Sequence, residues 1–152
     1  MKNKVRRFAE QSDELRNASK TIVERFRLTQ VKEEADVWGL RVSLQNDFAG
    51  IKFEFSPPQW PGWVAFVVRL VDGRFPKYPI YVDRHTVLNH FDIRDVAAIK
   101  LDLIPELAGK INGLAPLTAS DICLILERCC DDIFQGDFSS FAELRNRVIA
   151  RL

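Results

Sequence analysis

The stretch from Val37 to Asp83 alternates apolar and polar side chains with a period of two. Successive side chains of a β-strand point to opposite faces of a sheet, so this alternation is typical of strands that bury one face. It is clearest in residues 40–44 and 51–55. The polar residues 45–47 between these segments have the chemistry of a tight turn. The two segments are therefore predicted to form an antiparallel hairpin.

Two more strands are predicted in the same stretch. Residues 63–71 are almost wholly apolar, which indicates a central strand covered on both faces. A fourth strand is predicted near Ile80–Val82, after prolines that suit an edge strand or a bulge. Ahead of the alternating stretch, residues 32–34 are charged and are interpreted as a polar connection.

Helical periodicity flanks the strands. Apolar residues recur at spacings of three and four from Val5 to Phe26. A later helix is predicted to begin at Asp92 and to end or restart at Pro105. Thr118 begins the clearest helix, whose buried stripe is predicted to comprise Ile122, Ile125, Leu126, Cys129, Cys130 and Ile133, with Gly136 as its stop. A capping box of Ser140 and Glu143 should open the last helix, which turns Leu144, Val148, Ile149 and Leu152 inward.

These elements predict one globular α+β domain that spans residues 1–152. An N-terminal helix should precede an antiparallel meander of about four strands, and two or three C-terminal helices should pack on the sheet. The composition agrees, because 47% of the residues are hydrophobic and 28% are charged.

Charge and hydropathy narrow the range of partners. The chain has 22 Lys and Arg residues against 21 Asp and Glu residues, which disfavours binding to nucleic acid. No run approaches the roughly 20 apolar residues of a membrane span, and the N-terminus is polar, so a cytoplasmic protein is expected. Its three cysteines, Cys123, Cys129 and Cys130, are predicted to be buried thiols. We expect a monomer or a weak dimer; association through the N-terminal helix is a further alternative.

Two histidines are the candidates for chemistry. His85 and His90 lie near Asp83, and ordinary hydrogen bonding in a loop is the first interpretation. The alternative is a small hydrolase or transferase that uses Asp83, His85 and His90 in a cleft. The sequence contains no glycine-rich phosphate loop and no metal-binding cysteine pairs, so no metal and no cofactor are expected.

Exposed aromatic and polar loop residues are the candidates for binding a partner. Trp60 lies between prolines that restrict its loop, and a rigid aromatic side chain is a suitable anchor for an interface. The alternative is that this loop folds back over the core. Gln59 precedes it. Asp47, Phe48 and Tyr78 complete the predicted partner-binding set.

The segment Phe75–Pro79 resembles the proline-rich turn of ubiquitin-conjugating and RWD-type domains, which also follows a helix and a meander. The resemblance covers about five residues and the order of elements. No His-Pro-Asn follows, and Cys123 lies in a helical stripe, so no activity is transferred.

By elimination, the sequence favours a non-catalytic module that binds a protein partner. Small bacterial immunity proteins, antitoxins and secretion chaperones are of this size and share its lack of a catalytic signature.

Overall fold

A five-stranded antiparallel sheet lies at the centre of the computed structural model, which describes residues 8–79 and 81–152. The strands are β1 (Thr29–Ala35), β2 (Leu40–Gln45), β3 (Ala49–Phe55), β4 (Trp63–Arg69) and β5 (His90–Asp92). They pair in chain order, each antiparallel to the one before.

Helices precede and follow the sheet. They are α1 (Ala9–Ala18), α2 (Lys20–Phe26), α3 (Ile93–Ile99), α4 (Ala108–Asn112), α5 (Ala119–Cys129), α6 (Asp131–Phe134) and α7 (Phe141–Ala150). Two 3-10 turns, Leu101–Leu103 and Pro105–Leu107, lie between α3 and α4. The α+β class that the sequence predicts is therefore confirmed.

One face of the sheet packs against the helices and is called the closed face here. The alternation in β2, β3 and β4 explains it, because the strand register places the apolar residues of each strand side by side. The closed-face residues are Leu40, Val42 and Leu44 from β2, Ile51 and Phe53 from β3, and Trp63, Ala65 and Val67 from β4. All eight are buried, which confirms the predicted hairpin and its inward face.

Helix α5 contributes its apolar stripe to this core. Its predicted start is confirmed, since Thr118 accepts a hydrogen bond from the Asp121 amide and Asp121 accepts one from the Thr118 amide. The helix ends at Cys129, earlier than predicted, and Ile133 belongs to the short helix α6. The stripe stays buried across this break, and all three cysteines are buried as predicted.

The N-terminal helix is divided at Ser19 into α1 and α2. Its predicted buried stripe is confirmed at Phe8, Leu15, Ile22 and Phe26. The predicted beginning at Val5 lies outside the described residues.

Two strand assignments from the sequence are wrong. Residues 32–34 belong to the edge strand β1 instead of a connection. An edge strand that is exposed on both faces has no apolar alternation, so its sequence does not differ from that of a polar loop. The predicted fourth strand is absent at Tyr81 and Val82, and Ile80 lies outside the described residues. The fifth strand lies instead at His90–Asp92, where pairing with β4 defines it.

The last helix begins at Phe141, close to its predicted start, but the capping box does not form. The Ser140 side chain makes no capping hydrogen bond. Leu144 is buried, whereas Leu152 is 67% exposed and does not turn inward as predicted.

A crossover segment, residues 70–79 and 81–89, connects β4 to β5 and contacts both strand and helix residues. Asp72 and Gly73 form its first turn with positive φ angles of 53° and 72°. The Gln45 side chain donates a hydrogen bond to the Gly73 carbonyl at 3.0 Å, and Arg145 of α7 donates one to the Thr86 carbonyl at 3.1 Å. Residues 70–79 lie along the face of the sheet that the helices leave uncovered, whereas Leu88, in the second part of the segment, is buried in the core on the helical side.

No helix in the described parts of the chain is both long enough and apolar enough to cross a membrane.

Candidate functional site

The uncovered face of the sheet, called the open face here, carries a groove of about 820 Å³. Strand register places Ser43, Lys52 and Phe66 side by side across its floor. The groove is lined by Val31, Lys32, Glu34, Arg41, Ser43, Gln45, Lys52, Phe53, Glu54, Phe66, Gly73, Arg74, Phe75, Tyr78 and His90. We refer to it as the open-face groove.

Aromatic side chains from the crossover segment form one wall of the groove. The Phe75 ring lies directly on Gly50, because a Cβ atom built on that glycine would lie 2.3 Å from Phe75 Cζ. The Tyr78 ring meets the His90 ring edge-on, with centroids 5.3 Å apart. A glycine at position 50 thus permits the crossover segment to approach the sheet closely.

Lys52 and His90 are in direct contact in the groove. The Lys52 Nζ atom lies 3.3 Å from His90 Nε2 and 5.5 Å from the centroid of the Phe75 ring. His90 is only 5% exposed. With Lys52 donating to Nε2, the remaining ring hydrogen belongs to Nδ1, and that buried atom has no hydrogen-bond partner among the described residues.

Burial and a neighbouring positive charge lower the pKa of both groups. Desolvation, with a smaller contribution from Lys52, lowers the pKa of His90 from 6.5 to about 4. Desolvation also lowers the pKa of Lys52, with a further contribution from Lys32. The imidazole is therefore neutral at pH 7, and the amine is less well solvated than a surface lysine.

No neighbouring carboxylate among the described residues pairs with the positive charge of Lys52. Arg41 pairs with Asp36 at 2.6 Å, and Lys32 pairs with Glu34 at 3.1 Å. Within the part of the chain that the structure describes, Lys52 forms no salt bridge with a carboxylate, and neither does Arg74. Four cationic side chains thus line the groove against two carboxylates, Glu34 and Glu54. The groove has an excess of positive charge near Lys52.

The five residues predicted to bind a partner lie in three places. Tyr78 lines the open-face groove and is 51% exposed. Gln59 and Trp60 lie in the loop between β3 and β4, where the Arg94 guanidinium is 5.7 Å from the centroid of the Trp60 ring. Trp60 is 36% exposed, so most of its surface is covered by the fold.

Asp47 and Phe48 lie at the other end of β3, in the turn that follows β2. They line a separate depression of about 600 Å³ together with residues of α2 and α6. The Phe48 ring packs closely over Gly136, where an added Cβ would lie 2.9 Å from Phe48 Cδ1. Asn46 holds this turn by donating hydrogen bonds to the carbonyls of Phe26 and Phe134.

Asp83, His85 and His90 do not line one groove together. The Asp83 carboxylate accepts hydrogen bonds from the His85 amide at 2.8 Å and from the Thr86 hydroxyl at 3.1 Å, which lowers the pKa of Asp83. The His85 side chain is exposed. Of the three residues, His90 alone is among the lining residues of the open-face groove.

Sequence reasoning did not identify Lys52 or Trp38. Lys52 is a polar residue between two apolar residues of a strand, a pattern that is typical of a solvent-exposed sheet face. Its contact with His90 joins residues that are 38 positions apart in the chain. Trp38, in the turn before β2, is 61% exposed and is thus more exposed than Trp60. The sequence feature that could have indicated an exposed Trp38 is its position beside a glycine in a short turn.

The buried thiols are poor candidates for nucleophiles. Desolvation raises the pKa of Cys123 to about 12 and that of Cys129 to about 11, and it also raises the pKa of the fully buried Cys130. A reactive cysteine needs the opposite shift, because the thiolate is the reactive form.

The chain matches no known protein-family model, and neither a characterised protein nor a solved structure is significantly similar to it.

Proposed function

We propose that the protein is a cytoplasmic, non-catalytic module that binds a segment of a protein partner in the open-face groove. The observation that carries the proposal is the uncompensated Lys52, which lies beside the nearly buried His90 in an aromatic-walled groove. A partly buried charge loses solvation, and without a compensating partner it does not stabilise a fold. Such groups are typical of sites where a ligand completes the interaction.

The shape and chemistry of the groove suit a peptide segment. Pockets of a few hundred to a thousand cubic ångströms with mainly apolar walls and a few polar groups are typical ligand sites. Here Phe66, Phe75 and Tyr78 provide apolar surface, and the pair of Lys52 and His90 provides polarity. The proposal agrees with an immunity-type, antitoxin-type or chaperone protein, all of which act by binding another protein.

Blocking the groove tests this function. We suggest placing a photo-cross-linking amino acid at Ser43 in the groove floor and, separately, at the exposed Ser120 of α5. A partner captured from Ser43 should bind the purified wild-type protein, and Ser43→Trp should weaken that binding at least about tenfold. Ser120→Trp is the matched control and should bind normally. A partner that binds Ser43→Trp as well as the wild type would contradict the proposal.

An enzymatic function is the second candidate, and the two shifted pKa values in one groove favour it. In that case His90 would act with Lys52 instead of with Asp83 and His85. His90→Gln separates the candidates, because a binding module should lose biological activity only as far as it loses affinity for the partner. A complete loss of biological activity in a folded His90→Gln variant that still binds the partner would favour the enzyme.

A further inference from the structure

The charges in the open-face groove indicate which chemical group a ligand should present there. Lys52 is held by His90 Nε2 at 3.3 Å and faces the Phe75 ring, with its centroid 5.5 Å from the ammonium nitrogen. The neutral imidazole accepts one of the three ammonium hydrogens. The contact with the aromatic ring is electrostatic and does not provide a conventional hydrogen-bond acceptor for the other two. The ammonium therefore retains donor capacity that no described carboxylate satisfies.

Neighbouring groups make this position favourable for a single negative charge. Lys32 raises the local positive potential, as its contribution to the lowered pKa of Lys52 shows. Glu54 lies two residues along β3 on the same face, and Glu34 lines the same groove. The Lys32–Glu34 and Arg41–Asp36 pairs are neutral overall, and Glu54 offsets one of the two remaining cations, so the groove has a net charge of about plus one, which a single anionic group neutralises.

His90 also carries an unpaired polar atom beside the groove. The residue is 5% exposed, and its Nδ1 atom is without a hydrogen-bond partner among the described residues. Buried polar atoms in folded proteins are nearly always paired, so the surroundings of His90 are not fully satisfied by the described residues.

We propose that the open-face groove recognises a carboxylate next to an aromatic or large apolar group, with the Lys52 ammonium as the carboxylate receptor. His90 orients the ammonium by accepting one of its hydrogens, and the rings of Phe66, Phe75 and Tyr78 contact the apolar group. The inference rests on the proposed function, since it specifies which feature of the partner segment enters the groove. Because residues of all five strands line the groove, it has room for a continuing segment, and the occupant is an acidic side chain beside an aromatic residue within the partner's chain. A free C-terminal carboxylate is the alternative that the test below distinguishes.

Two matched small molecules test the carboxylate directly. We suggest titrating the isotopically labelled protein with 3-phenylpropionate and with 3-phenylpropionamide, up to about 10 mM, while NMR records the groove resonances. The acid should shift Lys52, Phe75 and Tyr78 and should bind about tenfold more tightly than the amide. Inorganic phosphate should produce much smaller shifts at these residues.

Variants assign the preference to one residue. Lys52→Met keeps the apolar stem without the charge and should abolish the difference between acid and amide. Lys20→Met, at an exposed lysine of α2, is the matched control and should preserve it. N-acetyl-aspartyl-phenylalanine amide and N-acetyl-asparaginyl-phenylalanine then distinguish a side-chain carboxylate from a C-terminal one.

Several results would overturn the inference. Equal affinity for acid and amide, an unchanged preference in Lys52→Met, shifts outside the groove, no binding of either molecule, or phosphate binding as tight as that of the acid would each do so. The proposed function is judged separately, by whether Ser43→Trp weakens the cross-linked protein partner. If the partner does not bind Ser43→Trp but binds Lys52→Met normally, the groove is the binding site and the proposed carboxylate recognition is wrong.

Discussion

The two faces of the central sheet use the same strands in different ways. On the closed face, Phe53 and its neighbours are buried in the hydrophobic core that they share with the helices. On the open face of the same strand, Lys52 is half-buried beside a neutral histidine and an aromatic ring. The closed face thus supplies stability, whereas the open face holds groups that stability alone does not explain.

The comparison has a structural cause. The closed face is covered by helices whose apolar residues join those of the strands in one buried core. The open face is covered in part by the crossover segment, which places Phe75 over Gly50 and Tyr78 against His90. The uncovered remainder is the groove, and its unpaired charge is the feature that distinguishes it from an ordinary solvated sheet face.

The largest expected effect is on the closed face. Phe53→Ala should lower the free energy of unfolding by about 3 to 5 kcal/mol, the usual range for truncating a buried aromatic side chain. Ser43→Ala, on the open face of β2, should change it by less than about 0.5 kcal/mol. Urea denaturation of both variants measures the difference, and equal losses would contradict the distinction between the faces.

The next effect concerns His90 and pH. Its pKa is about 4 in the folded protein against 6.5 for an ordinary histidine, so the unfolded chain takes up a proton first as the pH falls. The stability present above pH 6.5 should therefore decrease between about pH 6.5 and pH 4, by up to about 3 kcal/mol from this residue.

His90→Gln isolates that contribution. The difference in unfolding free energy between the wild type and His90→Gln should change over this pH range. A pH-independent difference between the wild type and His90→Gln would show that His90 is not held neutral by its burial.

Gly50→Ala tests how the crossover segment covers the open face. The added methyl group would meet the Phe75 ring at 2.3 Å, so the ring must move. We expect a loss of about 1 to 2 kcal/mol, within the range for overpacking. Phe75→Ala should then cost less in the Gly50→Ala background than in the wild type, because the contact is already lost. Strictly additive losses would mean that Phe75 does not rest on Gly50.

A smaller effect on stability tests whether Trp60, in the loop between β3 and β4, belongs to the fold or anchors a partner. Trp60→Ala should lower the unfolding free energy by about 1 kcal/mol, since most of the Trp60 side chain is covered and its ring contacts Arg94. Trp38→Ala should change it by less than about 0.5 kcal/mol. If Trp60→Ala instead leaves stability unchanged and reduces partner affinity at least about tenfold, Trp60 is the interface anchor and the groove is not the main site.

The sequence predicts the closed face well and the open face poorly. Alternation and helical periodicity record burial, so they identify Leu40, Phe53 and Ile125 as core residues directly. The charged edge strand β1 is not predicted because neither of its faces is buried. The strand β5 has three residues and is too short to show a pattern.

The candidate site depends on contacts between residues that are distant in the chain. Lys52 and His90 each look like an ordinary polar residue of a strand or loop until the sheet register and the crossover segment bring them together. Tyr78 was predicted from its exposed aromatic character, and it alone among the five predicted binding residues lines the groove.

The unfolding free energy of Lys52→Met tests most directly whether the open face is built for a ligand. If Lys52 is present for recognition, removing its poorly compensated charge while keeping its apolar stem should leave stability unchanged or raise it by up to about 1 kcal/mol. A loss of more than about 1.5 kcal/mol at pH 7 would instead show that the contact of Lys52 with His90 and Phe75 stabilises the fold, and would contradict a binding role for this lysine.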